Sequence, residues 1–62
     1  MTRGFWFVIL EHAEEQKDVP AYETALAGLR AQLDRTDPDA PWARTLIDTH
    51  TAVLTRLRAA AR

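Results

Sequence analysis

The sequence has no cysteine, only two glycines and three prolines, and no apolar run longer than the six residues from Phe5 to Leu10. Without cysteine there is no disulfide framework, no thiol nucleophile and no compact Cys/His metal site. Two glycines are too few for a phosphate-cradling loop. The apolar run is shorter than a secretory signal core of about 7–15 residues or a membrane span of about 20. We therefore expect no cofactor, no metal ion and no membrane contact, with the cytoplasm as the default location.

Size and net charge narrow the class of protein further. The chain has 62 residues, 47% of them hydrophobic, and a formal net charge of −1. A domain of this size buries only about 60% of its unfolded surface, so it commonly needs a disulfide, a metal ion or self-association for stability. Self-association is the route that this composition leaves open. The small net charge gives no bulk attraction to nucleic acid, and no nucleic-acid partner is expected.

The charges are unevenly distributed along the chain. Residues 11–23 hold five acidic side chains against one lysine, and residues 44–62 hold four arginines against one aspartate. Acidic residues near one helix start and basic residues near another helix end complement the helix dipoles. Alternatively, the two segments attract each other between subunits, head to tail.

The longest patterned stretch predicts a helix at about residues 41–60. At 100° per residue its apolar side chains fall on one face, and the other face holds Arg44, Asp48, Thr51, Thr55, Arg58 and Arg62. His50 lies near the middle of the apolar face, where its helical neighbours are aliphatic. The apolar face consists of Trp42, Leu46, Ile47, Val53, Leu54, Leu57, Ala60 and Ala61.

A second helix is predicted at about residues 20–35, because Asp18-Val19-Pro20 marks a break and proline is tolerated in a first helical turn. Gly28 falls on its outer face, where it is either exposed or allows another helix to approach closely. The apolar seam of this helix consists of Tyr22, Leu26, Leu29 and Leu33, with Ala25 at its edge.

The segment from Thr36 to Pro41 separates the second and third helices. Its two prolines are three residues apart and cannot continue a helix, and Asp37 or Asp39 is expected to cap the next one. The connection is about four to six residues, which is short enough for the two helices to pack as an antiparallel hairpin.

The segment from Phe5 to Leu10 has two interpretations. Its aromatic and β-branched residues favour a strand, but the chain offers no second strand to pair with it. We favour a helix over residues 5–17, capped by Thr2, because residues 11–17 are tolerable or good helix formers.

These elements predict an all-α fold: a short N-terminal helix plus an antiparallel two-helix hairpin, assembling as a helical-bundle homo-oligomer. The apolar face of the third helix spans about 140°, more than one neighbouring helix covers. Residues 5–10 add six large apolar side chains. We therefore expect no folded monomer at micromolar concentration, and a two-fold dimer that packs its hairpins as a four-helix bundle.

Two families of DNA-binding proteins provide comparisons. Ribbon-helix-helix repressors also place a short strand before two helices, but their ribbon needs polar side chains that residues 5–10 lack. The turn Asp37-Pro38-Asp39-Ala40-Pro41-Trp42-Ala43-Arg44 resembles the one that joins dimerisation helices in the C-terminal half of PadR-type transcriptional regulators. The resemblance covers about 40 residues and implies a helical dimerisation unit. The sequence has no counterpart of the winged-helix half or of the tryptophan near the end of the last helix.

The sequence contains no recognisable catalytic or metal-binding arrangement. His12 with Glu15 and Asp48 with His50 both lack the Glu-x-x-His spacing of dinuclear helical sites. We predict a non-catalytic interaction or oligomerisation module, or a small subunit of a larger assembly, that contacts itself or a protein partner through Phe5–Leu10. The alternative is a dimer that binds an apolar ligand between its subunits. The candidate ligand or interface residues are Trp6, Phe7, Leu10, Tyr22, Trp42 and His50.

Overall fold

The computed structural model describes residues 3–61, which form three helices and contain no strand: α1 (Arg3–Glu15), α2 (Val19–Thr36) and α3 (Pro41–Ala60). The all-α class is confirmed, and the helical interpretation of residues 5–10 is correct. The bounds of α3 match the prediction, whereas α2 is one residue longer at each end. Thr2, the predicted cap of the first helix, lies outside the described residues.

The end of α1 is set by a backbone motif and not by a glycine. Lys17 has a φ of 53°, in the left-handed region. The Asp18 N–H donates to the Ala13 carbonyl at 2.9 Å, and the Lys17 N–H donates to the Glu14 carbonyl at 3.1 Å. These two hydrogen bonds are those of a Schellman motif. The helix therefore ends at Glu15, two residues before its predicted end, because Lys17 already turns the chain.

The two helix starts that follow differ in their capping. The Asp18 carboxylate accepts a hydrogen bond from the Ala21 N–H at 3.2 Å and caps α2. The cap of α3 is Ala40, without a side-chain hydrogen bond, so the expectation that Asp37 or Asp39 caps this helix is wrong. Pro41 holds the preceding residue in an extended conformation and itself has no N–H to satisfy, which allows a helix start without a polar cap.

The core is built around α2, which packs against both α1 and α3. All four residues of its predicted seam are buried, and so is Ala25. Burial of each large aliphatic side chain contributes about 1.5–3 kcal/mol, so this seam is the main source of stability. The buried residues of the described chain are Leu10 and Ala13 from α1, Tyr22, Ala25, Leu26, Leu29 and Leu33 from α2, and Ala43 and Leu54 from α3.

Gly28 allows a close contact between α1 and α2. The six-membered ring of Trp6 lies over it, and a Cβ atom placed on Gly28 would come within 3.0 Å of three ring carbons. The Trp6 indole N–H donates a hydrogen bond to Gln32 Oε1, one helical turn further along α2. Of the two alternatives for Gly28, the structure shows the close approach.

The molecule measures 35 × 20 × 13 Å and exposes 4447 Å² to solvent. A compact monomer of its mass exposes about 4,000 Å². The additional surface is consistent with three helices in which α1 and α3 contact α2 more closely than they contact each other.

Candidate functional site

Three of the predicted site residues meet where the three helices come together. The His50 ring of α3 lies 5.7 Å from the Phe7 ring of α1 and 6.5 Å from the Tyr22 ring of α2, measured between centroids. His50 Nδ1 is 2.8 Å from the Leu46 carbonyl oxygen. A carbonyl can only accept, so Nδ1 carries the hydrogen that it donates. The aromatic neighbours of His50 come from other helices and were therefore not visible in its own helical pattern.

Tyr22 brings a polar atom into this junction. The residue is 1% exposed, and its hydroxyl has no hydrogen-bond partner. Burial of the phenol raises the pKa of Tyr22 above its ordinary value of 10.0, the Glu14 carboxylate raises it further, and the Arg56 guanidinium partly opposes both. A buried hydroxyl without a partner costs about 1–3 kcal/mol. The junction thus holds a buried phenol whose raised pKa keeps it neutral at neutral pH.

The acidic and basic segments of the chain lie side by side. Arg58 donates to Glu23 Oε1 through Nε at 3.1 Å and through Nη2 at 2.9 Å. Both side chains are about half exposed, so this pair contributes at most about 1 kcal/mol. Glu14 and Arg56 both act on Tyr22. The Arg58–Glu23 pair therefore joins the two segments within one chain.

The side chains of residues 5–10 point in different directions. Leu10 is 2% exposed and belongs to the core, whereas Trp6 packs on α2 and Phe7 faces His50. Phe5 and Val8 point outward, with 43% and 68% of their surfaces exposed. Phe5 also contacts the Trp6 ring edge-to-face, with centroids 5.2 Å apart. Within residues 5–10, the exposed large apolar side chains are therefore Phe5 and Val8.

A second apolar surface lies along α3, but most of it packs against the core. The helix buries Ala43 and Leu54, and Leu46, Ile47, Val53 and Leu57 are partly buried against the same core. Trp42 is the large apolar residue of α3 that is exposed, at 43%.

The two surface grooves lie apart from the predicted site residues. A groove of about 880 Å³ is open to solvent where α2 and α3 are connected, and a smaller one of about 240 Å³ follows along the same two helices. None of the six predicted site residues lines either groove. The larger groove has a charged lining with Arg30, Arg44, Asp34, Asp37, Asp39 and Asp48.

Residues 3–61 contain no cluster of metal ligands and no helix suited to cross a membrane. No three histidine, aspartate or glutamate side chains of this part of the chain are grouped as metal ligands would be, and His12 is exposed. None of its helices combines the length and hydropathy needed to cross a bilayer.

Comparison of the chain with protein-family models, curated proteins and solved structures finds no match. The resemblance to PadR-type regulators therefore stays a prediction that rests on the turn at residues 37–44.

The sequence pattern did not distinguish the exposed residues Phe5 and Val8 from the other residues of the 5–10 segment. Their position relative to the buried residues Leu10 and Ala13 is the signal that distinguishes them. At 100° per residue, the mean direction of Phe5 and Val8 on α1 is about 140° from the mean direction of Leu10 and Ala13, which are buried.

Proposed function

We propose that this chain is a cytoplasmic, non-catalytic self-association module, which forms a helical-bundle homo-oligomer. The proposal rests on one observation: Phe5 and Val8 are exposed on one side of α1. The chain has few large apolar residues, and most of the others contribute to its core. Residues three apart on a helix are neighbours, so the two side chains form one contact surface. Leaving large apolar side chains in water forgoes about 1.5–3 kcal/mol each, which a contact with a second chain would recover.

The arrangement of α2 and α3 supports the same assembly. We infer an antiparallel hairpin, because Glu23 near the start of α2 bonds Arg58 near the end of α3. The connection of four residues, 37–40, is typical of antiparallel neighbours. Two such hairpins related by a two-fold axis would bury apolar surface that one hairpin leaves exposed.

Sedimentation equilibrium across the micromolar range tests the proposal. The wild-type chain should sediment as a multiple of its 7.0 kDa monomer mass and dissociate on dilution. Phe5→Glu with Val8→Glu should shift the equilibrium to monomer and lower the melting temperature at equal concentration. Glutamate is a good helix former and favourable near a helix start, so the lost stability would not come from helix propensity.

The matched control is Ala31→Glu with Ala59→Glu. It adds the same two charges at exposed helical positions outside both apolar surfaces. This variant should sediment like the wild type. A wild-type chain that is cooperatively folded as a single 7.0 kDa species at every concentration would overturn the proposed function.

A further inference from the structure

The larger groove, at the connection of α2 and α3, is lined by charged side chains from both helices. Arg30 and Asp34 come from α2, and Arg44 and Asp48 come from α3. All four are exposed, and within the described residues neither arginine is paired with an aspartate across the groove. The groove of about 880 Å³ is therefore an open space with side chains of both signs along each helix.

The positions of these charges match across the groove. Asp34 and Arg44 each lie about one helical turn from the connection at residues 37–40, and Arg30 and Asp48 each lie about two turns from it. In an antiparallel hairpin, residues equally far from the connection lie level with each other. Each carboxylate is thus level with a guanidinium of the other helix.

One pair of this kind is already closed. Farther along the same two helices, Arg58 of α3 bonds Glu23 of α2 at 2.9 Å. Both residues line the smaller groove together with Arg30, which also lines the larger one. The two grooves therefore follow one line between α2 and α3, along which opposite charges face each other three times.

We propose that Asp34 with Arg44, and Arg30 with Asp48, form an electrostatic clasp. The clasp closes the larger groove by two ion pairs between α2 and α3, and it opens as the ionic strength rises. This inference rests on the antiparallel hairpin of the proposed function but not on self-association. The charges of the clasp lie on an exposed surface, so dissolved salt screens their attraction.

The clasp also selects the register of the two helices. Apolar residues recur every three or four positions on both helices, so a slip of one turn still places apolar side chains opposite each other. The charges oppose that slip. Moving α3 by four positions brings Asp34 level with Asp48 in one direction, or Arg30 level with Arg44 in the other. Like charges that face each other destabilise either slipped register.

Pairing within each helix is the competing arrangement. Arg30 and Asp34 are four positions apart on α2, as are Arg44 and Asp48 on α3, so each pair can also meet on its own helix. In both helices the base precedes the acid, which is the less favourable order for two charges four positions apart. The order of the charges therefore favours pairing across the groove.

A charge-reversal cycle tests the clasp by urea unfolding of four proteins: the wild type, Asp34→Arg, Arg44→Asp and the double variant. Each single change opposes like charges across the groove, and the double variant restores the pair with its signs exchanged. In about 0.1 M salt, the unfolding constant of the double variant should differ from the additive expectation by at least about threefold, in the stabilising direction. A second cycle with Arg30→Asp and Asp48→Arg should give the same result.

The matched control combines Asp34→Arg with Arg56→Asp. Arg56 lies twelve positions beyond Arg44 on α3, which is about 18 Å along the helix axis and farther than the Debye length of about 10 Å. The two changes should therefore act additively. A further cycle of Arg30→Asp with Asp34→Arg measures pairing within α2. All variants are compared at one protein concentration, and circular dichroism checks their helical content.

The outcomes are distinct from those of the proposed function. Coupling in both clasp cycles that falls in about 1 M salt, with an additive control, supports the inference. Additive effects in either clasp cycle, coupling that salt leaves unchanged, or coupling confined to the cycle within α2 overturns it. If a reversed single variant does not fold, Asp34→Asn and Arg44→Gln provide the same cycle with smaller effects. A monomeric wild type in sedimentation overturns the proposed self-association and leaves the clasp in place.

Discussion

The indole ring of Trp6 occupies the space that a side chain on Gly28 would fill. This contact joins α1 to α2, and the Trp6–Gln32 hydrogen bond fixes the ring in place. Glycine at position 28 therefore has two opposing effects on the stability of the fold. A glycine inside a helix costs about 0.5–1 kcal/mol relative to alanine, but only glycine leaves room for the ring.

Gly28→Ala should destabilise the protein by about 1–3 kcal/mol, because the rigid indole has to move away from its hydrogen-bond partner. In a Trp6→Leu background the shorter side chain does not reach Gly28. There Gly28→Ala should stabilise by roughly 0.5–1 kcal/mol through helix propensity. Urea unfolding of the four proteins at one concentration measures both effects, and the same sign in both backgrounds would contradict the contact.

Tyr22→Phe should stabilise the fold by up to about 1 kcal/mol. The substitution keeps the buried ring and its contact with His50 but removes a hydroxyl that has no partner. The control is Leu29→Ala, at a fully buried position of the same helix, which should cost about 2–5 kcal/mol. A loss of stability in Tyr22→Phe would mean that the hydroxyl is bonded in solution.

The raised pKa of Tyr22 predicts a loss of stability in alkali. Well below pH 10.0 the phenol is neutral in the folded and the unfolded chain. Above it the unfolded chain loses the proton while the folded chain still holds it, so the folded state binds more protons and stability falls as pH rises. The fall continues until the pH passes the raised pKa of the folded state. Other groups also titrate in this range, so the quantity to measure is the difference in alkaline unfolding between the wild type and Tyr22→Phe.

Lys17→Gly should stabilise the protein by about 1 kcal/mol. Lys17 has a positive φ at the end of α1, a conformation that costs a side-chain-bearing residue about 1–2 kcal/mol and costs glycine little. Part of the gain is offset because glycine makes the unfolded chain more flexible. Gln16→Gly, one position earlier, has no positive φ to relieve and should destabilise. Equal effects at both positions would show that the left-handed turn is absent.

The fold could be predicted largely from residues that act within one helix. The seam of α2 and the bounds of α3 follow from periodicity and from the prolines, which are local properties of the chain. The end of α1 could not be predicted, because a lysine adopts the conformation that sequence rules assign to glycine. The cap of α3 was misassigned because two aspartates are better caps than Ala40 by propensity.

The candidate site was less predictable because its contacts join different helices. Periodicity placed His50 on the apolar face of α3 but said nothing of Phe7 and Tyr22, which meet it from α1 and α2. The separation of Leu10 from Val8 within one apolar run depends on how α1 is rotated against α2. Such rotations follow from close contacts like Trp6 on Gly28, which a pattern of apolar residues does not specify.

The short connections between the helices also bear on folding kinetics. Three residues join α1 to α2 and four join α2 to α3, so each helix meets a neighbour that follows closely in the chain. Small helical domains with such local contacts fold in microseconds to milliseconds. Two chains at micromolar concentration associate at about 10⁵–10⁷ M⁻¹s⁻¹, which takes about 0.1–10 seconds. Encounter between chains, and not the folding of either one, would then limit the rate at which the assembly appears.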